Sequence, residues 1–329
     1  MKILITGASG YVGNSLVEDL KGNHEIIATA RDISRIVVDG VQKAELDLLS
    51  PEQAHEIIDK IQPDAIVHAA ALPKRSTADE EEFINTNVEG IRNIAEAVKN
   101  YSKAKFIAIS SGCAFKQSDG NVIVFDSERE MGAAFSRSKN LAEKTIAGVF
   151  EKEEKRLAII YPPVILHGSQ QQGIIPYALH DAQTNGIITN KVPDGHVNFI
   201  SHSKFAELID AVAQDHSSVS IQRYLITGNR FTTAEFFKKM QTIFQNDFQI
   251  PCSIKMEQDP HFETMCAMDE TAIQQLKPGF VWGSIENDIH AIIVQNLKKE
   301  LMKEALSNQR PYQRANGENW VNACFLKII

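Results

Sequence analysis

The chain has 329 residues and a formal net charge of -8 without a long basic run, which argues against nucleic acid as its main partner. Apolar residues make up 43% of the sequence and charged residues 23%, the proportions of a soluble protein with room for a large α/β domain and a second lobe. We find neither signal-peptide features nor an apolar run of membrane-spanning length, so a cytoplasmic protein without a membrane partner is expected. The four cysteines show no CxxC spacing, so no metal site or disulfide framework is expected.

The stretch from Ile3 to Leu16 places an apolar strand directly before three glycines and an amphipathic helix. This order is typical of a phosphate-binding turn, because glycines let the backbone approach a pyrophosphate at the positive N-terminus of a helix. We expect Gly7 to make the tight turn, Gly10 to allow the close approach and Gly13 to let the helix pack on the strand. An ordinary strand-turn-helix is the alternative interpretation. The turn residues expected to bind a dinucleotide are Gly7, Ser9, Gly10, Tyr11, Val12 and Gly13.

Short apolar runs then alternate with helical patterns, which predicts a doubly wound α/β fold with a parallel sheet covered on both faces. The predicted strands are Lys2 to Thr6, Glu25 to Ala30, Ala65 to Ala69, Lys105 to Ser110 and Leu157 to Tyr161. The predicted helices are Tyr11 to Lys21, Pro51 to Ile61, Glu80 to Tyr101 and Phe135 to Glu151. Prolines and glycines break the alternation after Tyr161. We therefore expect an NAD(P)-binding domain over residues 1–165, also taking in about 195–228, and a smaller α+β substrate lobe over most of 166–329.

The end of the second predicted strand carries Ala30, Arg31 and Asp32. An acidic residue there would accept hydrogen bonds from the ribose of NAD, whereas a cation would contact the 2′-phosphate of NADP. Arg31 therefore favours NADP, although Arg31 as a surface charge, with Asp32 on the ribose, is the alternative. Asp47, followed by Leu48, stands where a side chain would contact the adenine. An equally plain alternative is that Asp47 is a solvent-facing carboxylate in a loop.

Four stretches of the N-terminal half resemble the extended short-chain dehydrogenases/reductases. They are Thr6 to Gly13, Pro63 to Ala71, Asn85 to Gly90 and Phe106 to Phe115. The resemblance is to the NAD-dependent epimerase/dehydratase group, with a leaning toward its dTDP-4-dehydrorhamnose reductase-like branch, and it is weakest after about residue 250. It implies a Rossmann sheet, a nicotinamide cofactor and a small-molecule substrate such as a nucleotide sugar. It also adds Ala69, Ala70, Ala71, Asn87, Lys139 and Tyr161 to the expected cofactor-binding residues.

In that family a Ser or Thr polarises the substrate carbonyl, a Tyr exchanges a proton with it, and a Lys four residues later holds the ribose and lowers the pKa of the Tyr. The resemblance places the Ser at Ser111 and the Lys at Lys139, but Phe135 stands where the Tyr is expected. A phenyl ring has no ionisable proton, and loss of one general acid or base typically costs about 10²- to 10⁴-fold in rate.

Several residues near this site in the sequence are candidates to replace the missing phenol. They are Lys139 itself, Cys113, and Tyr161 or His167 at the end of the fifth strand. Ribose binding or ordinary packing is the plainer interpretation of each.

The second half carries weaker signals. His196 and Arg230 are candidate contacts for a substrate diphosphate, or simply surface residues. Apolar spacing predicts a core-packing helix from Glu286 to Leu306. The tail from Asn308 to Ile329 ends in apolar residues, which we expect to dock on its own lobe or on a neighbouring subunit, so a homodimer is possible.

Two hypotheses of function follow from the whole sequence. The first is an NADP-dependent oxidoreductase, epimerase or dehydratase acting on a nucleotide-sugar-like or other small carbonyl or hydroxyl substrate, with NAD as a possible alternative cofactor. The second is a catalytically impaired NAD(P)-binding protein with a regulatory or redox-sensing role. Phe135 favours the second hypothesis, whereas the correctly spaced Ser111 and Lys139 favour the first.

Overall fold

The computed structural model describes residues 1–74, 76–117, 121–152, 156–216, 221–259 and 264–307. These residues form two compact units. The first unit comprises Met1–Ile165, His202–Gly228 and Ala267–Trp282. The second comprises Leu166–Ser201, Asn229–Cys266 and the described residues from Gly283 onward.

The strands of the described chain, in order, are β1 Lys2–Thr6, β2 Glu25–Ala30, β3 Gln42–Glu45, β4 Ala65–His68, β5 Lys105–Ile109, β6 Leu157–Tyr161, β7 Val164–Leu166, β8 Ile187–Asn190, β9 His196–Ser201, β10 Gln222–Leu225, β11 Asn229–Thr232 and β12 Ser253–Met256. The helices are α1 Tyr11–Leu20, α2 Pro51–Ile61, α3 Glu80–Ile84, α4 Gly90–Tyr101, α5 Ala134–Val149, α6 Ile174–Asn185, α7 His202–Gln214, α8 Thr233–Asn246, α9 Thr271–Leu276 and α10 Glu286–Ser307.

The first unit is built on a seven-stranded sheet in the order β10-β6-β5-β4-β1-β2-β3, and all six of its strand pairs are parallel. The central strands bury both faces, as the fully buried Ile3, Leu4 and Ile5 of β1 show, because helices cover a parallel sheet on both sides. The predicted doubly wound α/β fold is confirmed. Since parallel strands end at one edge, the carboxyl ends of β1, β4 and β5 lie side by side there.

All five predicted strands are present, and two further strands complete the sheet. The edge strand β3 has a polar, half-exposed sequence, which hides it from a search for apolar runs. The predicted helix from Glu80 to Tyr101 is wrong in one respect, because a π-helical turn, Asn85–Glu89, separates α3 from α4. Such turns are frequent at functional sites.

The second unit contains an antiparallel pair of β9 with β11 and a parallel pair of β8 with β12. Its core includes Phe199 of β9 stacked on Phe236 of α8, with ring centroids 4.5 Å apart. The predicted C-terminal helix is present as α10, and its apolar residues Ile289, Ile292, Ile293 and Leu297 are buried. The tail from Asn308 to Ile329 lies outside the described residues, so its docking stays a prediction. In the described ranges we find no helix that combines the length and apolarity needed to span a bilayer.

Candidate active site

The turn between β1 and α1 requires glycine at two of its three glycine positions. Gly7 has a φ of +70°, and a Cβ added there would lie 2.6 Å from the Cα of Ala70. A Cβ at Gly13 would lie 2.2 Å from the carbonyl oxygen of Gly7, so only glycine lets α1 pack this closely on the end of β1. Steric exclusion of every side chain at these positions explains the spacing seen in the sequence.

Gly10 differs from its two neighbours because the space beside it is largely open. It is the N-cap of α1, and an added Cβ would contact only the Gly7 carbonyl oxygen, at 3.3 Å. The first turn of α1, Tyr11 to Asn14, carries no charged side chain. Backbone amides at a helix N-terminus that is free of competing carboxylates suit an anion. The backbone of the turn therefore fits an anion such as the pyrophosphate of a dinucleotide.

Arg31 and Asp32, the two candidate ribose contacts after β2, differ in their hydrogen bonding. Ala30 is buried, while Arg31 and Asp32 are both exposed. One carboxylate oxygen of Asp32 accepts hydrogen bonds from the backbone N–H of Ser34 at 3.0 Å and from its hydroxyl at 2.6 Å. These hydrogen bonds hold the pKa of Asp32 below its ordinary value. Asp32 is thus engaged in capping a short helical turn.

Asp47 and Leu48 lie half-buried after β3. The Asp47 carboxylate accepts the backbone N–H of Leu49 at 3.0 Å. The carbonyl oxygen of Leu48 accepts a hydrogen bond from the Asn93 side chain at 2.8 Å, which ties this loop to α4. These two hydrogen bonds hold the loop in place.

The residues after β4 are held by polar side chains beneath them. The half-buried run from Ala69 to Ala71 follows His68, whose ring Nδ1 lies 3.0 Å from the Thr6 hydroxyl. Asn87, in the π-helical turn, accepts the backbone N–H of Leu72 at 2.7 Å and donates to the Ser138 hydroxyl at 2.9 Å. Asn87 therefore connects the loop after β4 to α5.

Lys139 and Phe135 share one face of α5, as their spacing predicts. The Lys139 ammonium lies 5.9 Å from the centroid of the Phe135 ring and donates a hydrogen bond to the carbonyl oxygen of Ile109, at 3.0 Å, where β5 ends. Burial lowers the pKa of Lys139 to about 8. Burial, with a smaller contribution from the Lys139 charge, lowers the pKa of His68 to about 3, so His68 is neutral at physiological pH.

Ser111 begins the short helical turn Gly112–Ala114 that follows β5. Its half-buried hydroxyl oxygen accepts the backbone N–H of Cys113 at 3.1 Å. The Cys113 thiol is half-buried and lies 3.8 Å from the Lys74 ammonium. Ser110 has a buried hydroxyl without a partner among the described residues, and it lines a small cavity with Lys139.

One candidate proton donor, Tyr161, is poorly placed for that role. Tyr161 is fully buried, with its ring 5.2 Å from the ring of Phe115, and burial together with the nearby Glu143 carboxylate raises the pKa of its phenol. A phenol enclosed in the core is not available to a bound molecule, so we leave Tyr161 out of the proposed site. His167 belongs to the second unit, where its Nδ1 lies 2.7 Å from the Ser169 hydroxyl.

In the second unit, His196 and Arg230 lie on one face of the β9–β11 pair. The register places His196 opposite Thr232 and Asn198 opposite Arg230, and directly paired residues share a face. Asn198 is buried and donates to the Cys266 carbonyl oxygen at 2.7 Å, whereas no donor among the described residues reaches its own side-chain oxygen.

Four residues around this site were missed from the sequence. Lys74 and Ser110 carry no motif signal of their own. Asn140 and its partner Arg129 were also missed, although Asn140 directly follows Lys139 and donates to the backbone near Ser111. Adjacency to Lys139 is the one signal that would have singled out Asn140.

A sequence model described as the NAD dependent epimerase/dehydratase family matches residues 3–225. The chain is 30% identical over 122 residues to dTDP-glucose 4,6-dehydratase 1 of Escherichia coli, and the aligned stretch covers 32% of each chain. It is 32% identical over 105 residues to dTDP-4-dehydrorhamnose reductase of Aggregatibacter actinomycetemcomitans, which covers 31% of this chain and 32% of that protein. The chain thus spans about a third of the length of these curated relatives.

Among solved structures, the fold is similar to UDP-glucuronic acid 4-epimerase from Bacillus cereus in complex with UDP-glucuronic acid and NAD. The TM-score is 0.77 at 16% sequence identity, and the match covers 92% of this chain and 100% of that one. The similarity therefore extends over the fold as a whole, including the part where sequence resemblance is weakest.

Proposed function

Because the chain belongs to the NAD dependent epimerase/dehydratase family of extended short-chain dehydrogenases/reductases, we propose that it is an NADP-dependent enzyme. Its substrate would be a nucleotide sugar or a similar small molecule, changed at a carbonyl or hydroxyl carbon. One observation carries the proposal. The Lys139 ammonium is hydrogen-bonded at the end of β5, directly before Ser110 and Ser111, on the sheet edge where the glycine turn opens.

The cofactor would be held mainly by the backbone of the glycine turn. Gly7 and Gly13 shape this turn, and Gly10 leaves the N-terminus of α1 open for the pyrophosphate. Arg31 would bind the 2′-phosphate of NADP, since the alternative ribose ligand, Asp32, is engaged with Ser34. Asp47, Leu48 and the loop from Ala69 to Ala71 would line the rest of the dinucleotide site.

The reacting end of the site would be formed by Ser111 and Lys139. A nicotinamide cofactor bound there would provide hydride-transfer chemistry. The Ser111 hydroxyl, whose oxygen already accepts the Cys113 N–H, would donate its proton in a hydrogen bond to the substrate oxygen. Lys139 would donate to the nicotinamide ribose while its charge polarises the same region.

Because Phe135 has no ionisable proton, another side chain would have to exchange a proton with the substrate. Lys139, with a pKa of about 8, can lose or gain a proton near neutral pH. The Cys113 thiol is the second candidate, since it lies two residues after Ser111 and 3.8 Å from the Lys74 ammonium. Either group would act from a position other than that of the missing phenol, so we expect slow turnover.

The second unit carries groups on its β9–β11 pair that would suit a diphosphate. Arg230 is exposed on the face of the β9–β11 pair that also carries His196, and its guanidinium suits a diphosphate. A homodimer remains a further proposal.

A second candidate function is cofactor binding without turnover, in a regulatory or redox-sensing role. The observation that favours it is Phe135, a side chain without an ionisable proton beside Lys139. This candidate would need the glycine turn but not Ser111.

A turnover assay separates the two candidates. Conversion of a panel of nucleotide sugars and keto-sugar nucleotides is followed by chromatography, and reduction also by the loss of NADPH absorbance. The proteins compared are the unmutated protein, Lys139→Ala, Cys113→Ala and Lys144→Ala, where Lys144 is an exposed control on α5. We expect turnover in the unmutated protein and the control, and its loss in Lys139→Ala. Binding of NADPH without turnover on any substrate would favour the second candidate, and turnover that survives both Lys139→Ala and Cys113→Ala would contradict the proposed site.

A further inference from the structure

The side chain of Asn140 connects α5 to two backbone segments at once. Its amide nitrogen donates to the carbonyl oxygen of Ala114 and to that of Glu130, both at 2.9 Å. Its amide oxygen accepts a hydrogen bond from the Arg129 guanidinium at 3.3 Å. The side chain is only half-buried, yet both protons of the amide group are used.

The two carbonyl oxygens belong to segments that pair with each other. The backbone N–H of Glu130 donates to Ala114 at 2.9 Å, and that of Lys116 donates to Glu128 at 2.9 Å. Ala114 ends the short turn that begins at Ser111. Asn140 directly follows Lys139 on α5. It therefore links α5 to the Ser111 turn and to the segment paired with that turn.

A neighbouring ion pair strengthens the same junction by a different route. Glu143, one turn after Lys139, binds the Arg129 guanidinium with oxygen–nitrogen distances of 2.9 and 3.3 Å. The guanidinium also lies 4.1 Å from the centroid of the Phe115 ring. These contacts join side chains, whereas Asn140 bonds directly to the backbone of the turn.

We propose that Asn140 is a positioning residue that sets the separation between the Ser111 hydroxyl and the Lys139 ammonium. The inference rests on the proposed function, in which those two groups contact the substrate and the cofactor. Reaction rates are sensitive to such spacing, since a displacement of about 1 Å can cost about 10²-fold. Asn140 itself would touch neither ligand.

The test compares Asn140→Ala and Asn140→Asp with Asn100→Ala, an exposed control at the end of α4. Asn140→Asp keeps the shape of the side chain but loses both donors. Four quantities are measured at a temperature well below the unfolding transition of every variant. They are kcat and KM for NADPH-dependent turnover, the Kd for NADP by calorimetry, and amide hydrogen exchange over residues 112–117 and 128–133.

We expect both Asn140 variants to lower kcat at least tenfold, to leave the Kd for NADP within about twofold, and to speed exchange in the two segments. Asn100→Ala should change none of these. A simple structural role would lower the unfolding temperature and speed exchange without lowering kcat, and that outcome would overturn the proposal. Unchanged exchange would overturn it as well, because the amide would then not anchor the turn.

Failure of the proposed function is separately visible. If the unmutated protein binds NADP but turns over no substrate, the proposed function fails and the positioning role fails with it. The exchange measurement would then still decide whether Asn140 anchors the Ser111 turn.

Discussion

The glycine turn and helix α5 meet the requirements of a dinucleotide enzyme to different degrees. In the turn, Gly7 and Gly13 are required by contacts of 2.6 and 2.2 Å that an added Cβ would make, and Gly10 leaves the helix N-terminus open. In α5, Lys139 is present and hydrogen-bonded at the end of β5, but Phe135 provides a ring without an ionisable proton.

The difference teaches that the two functions depend on different kinds of group. Binding of a pyrophosphate uses backbone amides, which any sequence keeps as long as the turn has its glycines. Proton exchange needs one ionisable side chain at one position, so a single substitution removes it while the helix, its packing and its lysine stay in place. The predictions below test this contrast.

The largest effect is expected from Phe135→Tyr. The new phenol would lie beside the Lys139 ammonium, now 5.9 Å from the ring centroid, and that charge would lower the pKa of the phenol. We expect carbonyl reduction with NADPH to rise by about 10²-fold or more. Steady-state kinetics on the keto-sugar nucleotide panel measures the change.

The matched control is the double variant Phe135→Tyr with Lys139→Ala, which should lose most of the gain. A rate that stays flat or falls in Phe135→Tyr would show that another group has fully replaced the phenol, and the contrast between the turn and α5 would disappear.

The next effect concerns the choice of cofactor. A charge-assisted contact between Arg31 and the 2′-phosphate would give a preference for NADP over NAD of about ten- to a hundredfold. Arg31→Ala should remove most of this preference by weakening NADP and leaving NAD nearly unchanged, as measured by calorimetric titration of both. Arg35→Ala, a nearby exposed arginine, is the control. Equal binding of NADP and NAD by the unmutated protein would show that Arg31 is only a surface charge.

The smallest effect is a pH dependence of NADP affinity that comes from Lys139. Its pKa of about 8 lies below the ordinary 10.5, so the ammonium loses its proton as the pH rises from 7 to 9. In the proposed site the charged form would bind the ribose, so affinity should be constant below about pH 7 and fall about tenfold between pH 8 and 9. Lys139→Arg keeps its charge over this range and should give a flat profile. A fall of equal size in that variant would assign the titration to another group.

The sequence predicted the parts of the molecule whose causes lie within a few residues. The glycine spacing predicted the turn because steric exclusion at Gly7 and Gly13 acts locally. Apolar runs predicted the central strands, whereas the polar edge strand β3 carries no such signal. The π-helical turn at Asn87 was missed because it depends on Leu72 and Ser138, which are far from it along the chain.

The same reasoning explains what was found and missed around the candidate site. The positions of Ser111, Phe135 and Lys139 came from resemblance to a family, and their roles stay proposals. The anchoring contact of Asn140 with Ala114 joins residues 26 apart, so it becomes visible only once the chain is folded. The lowered pKa of Lys139 likewise results from burial, which local sequence does not determine.

Calorimetric titration of NADP into the unmutated protein and Gly10→Asp tests most directly whether the glycine turn binds the cofactor. The substitution places a side chain and a negative charge in the opening at the N-terminus of α1, while Gly22→Asp places the same residue in open space as a control. We predict binding by the unmutated protein and by Gly22→Asp, and a loss of at least about a hundredfold in Gly10→Asp with the fold retained by circular dichroism. Unchanged affinity in a folded Gly10→Asp would contradict the account.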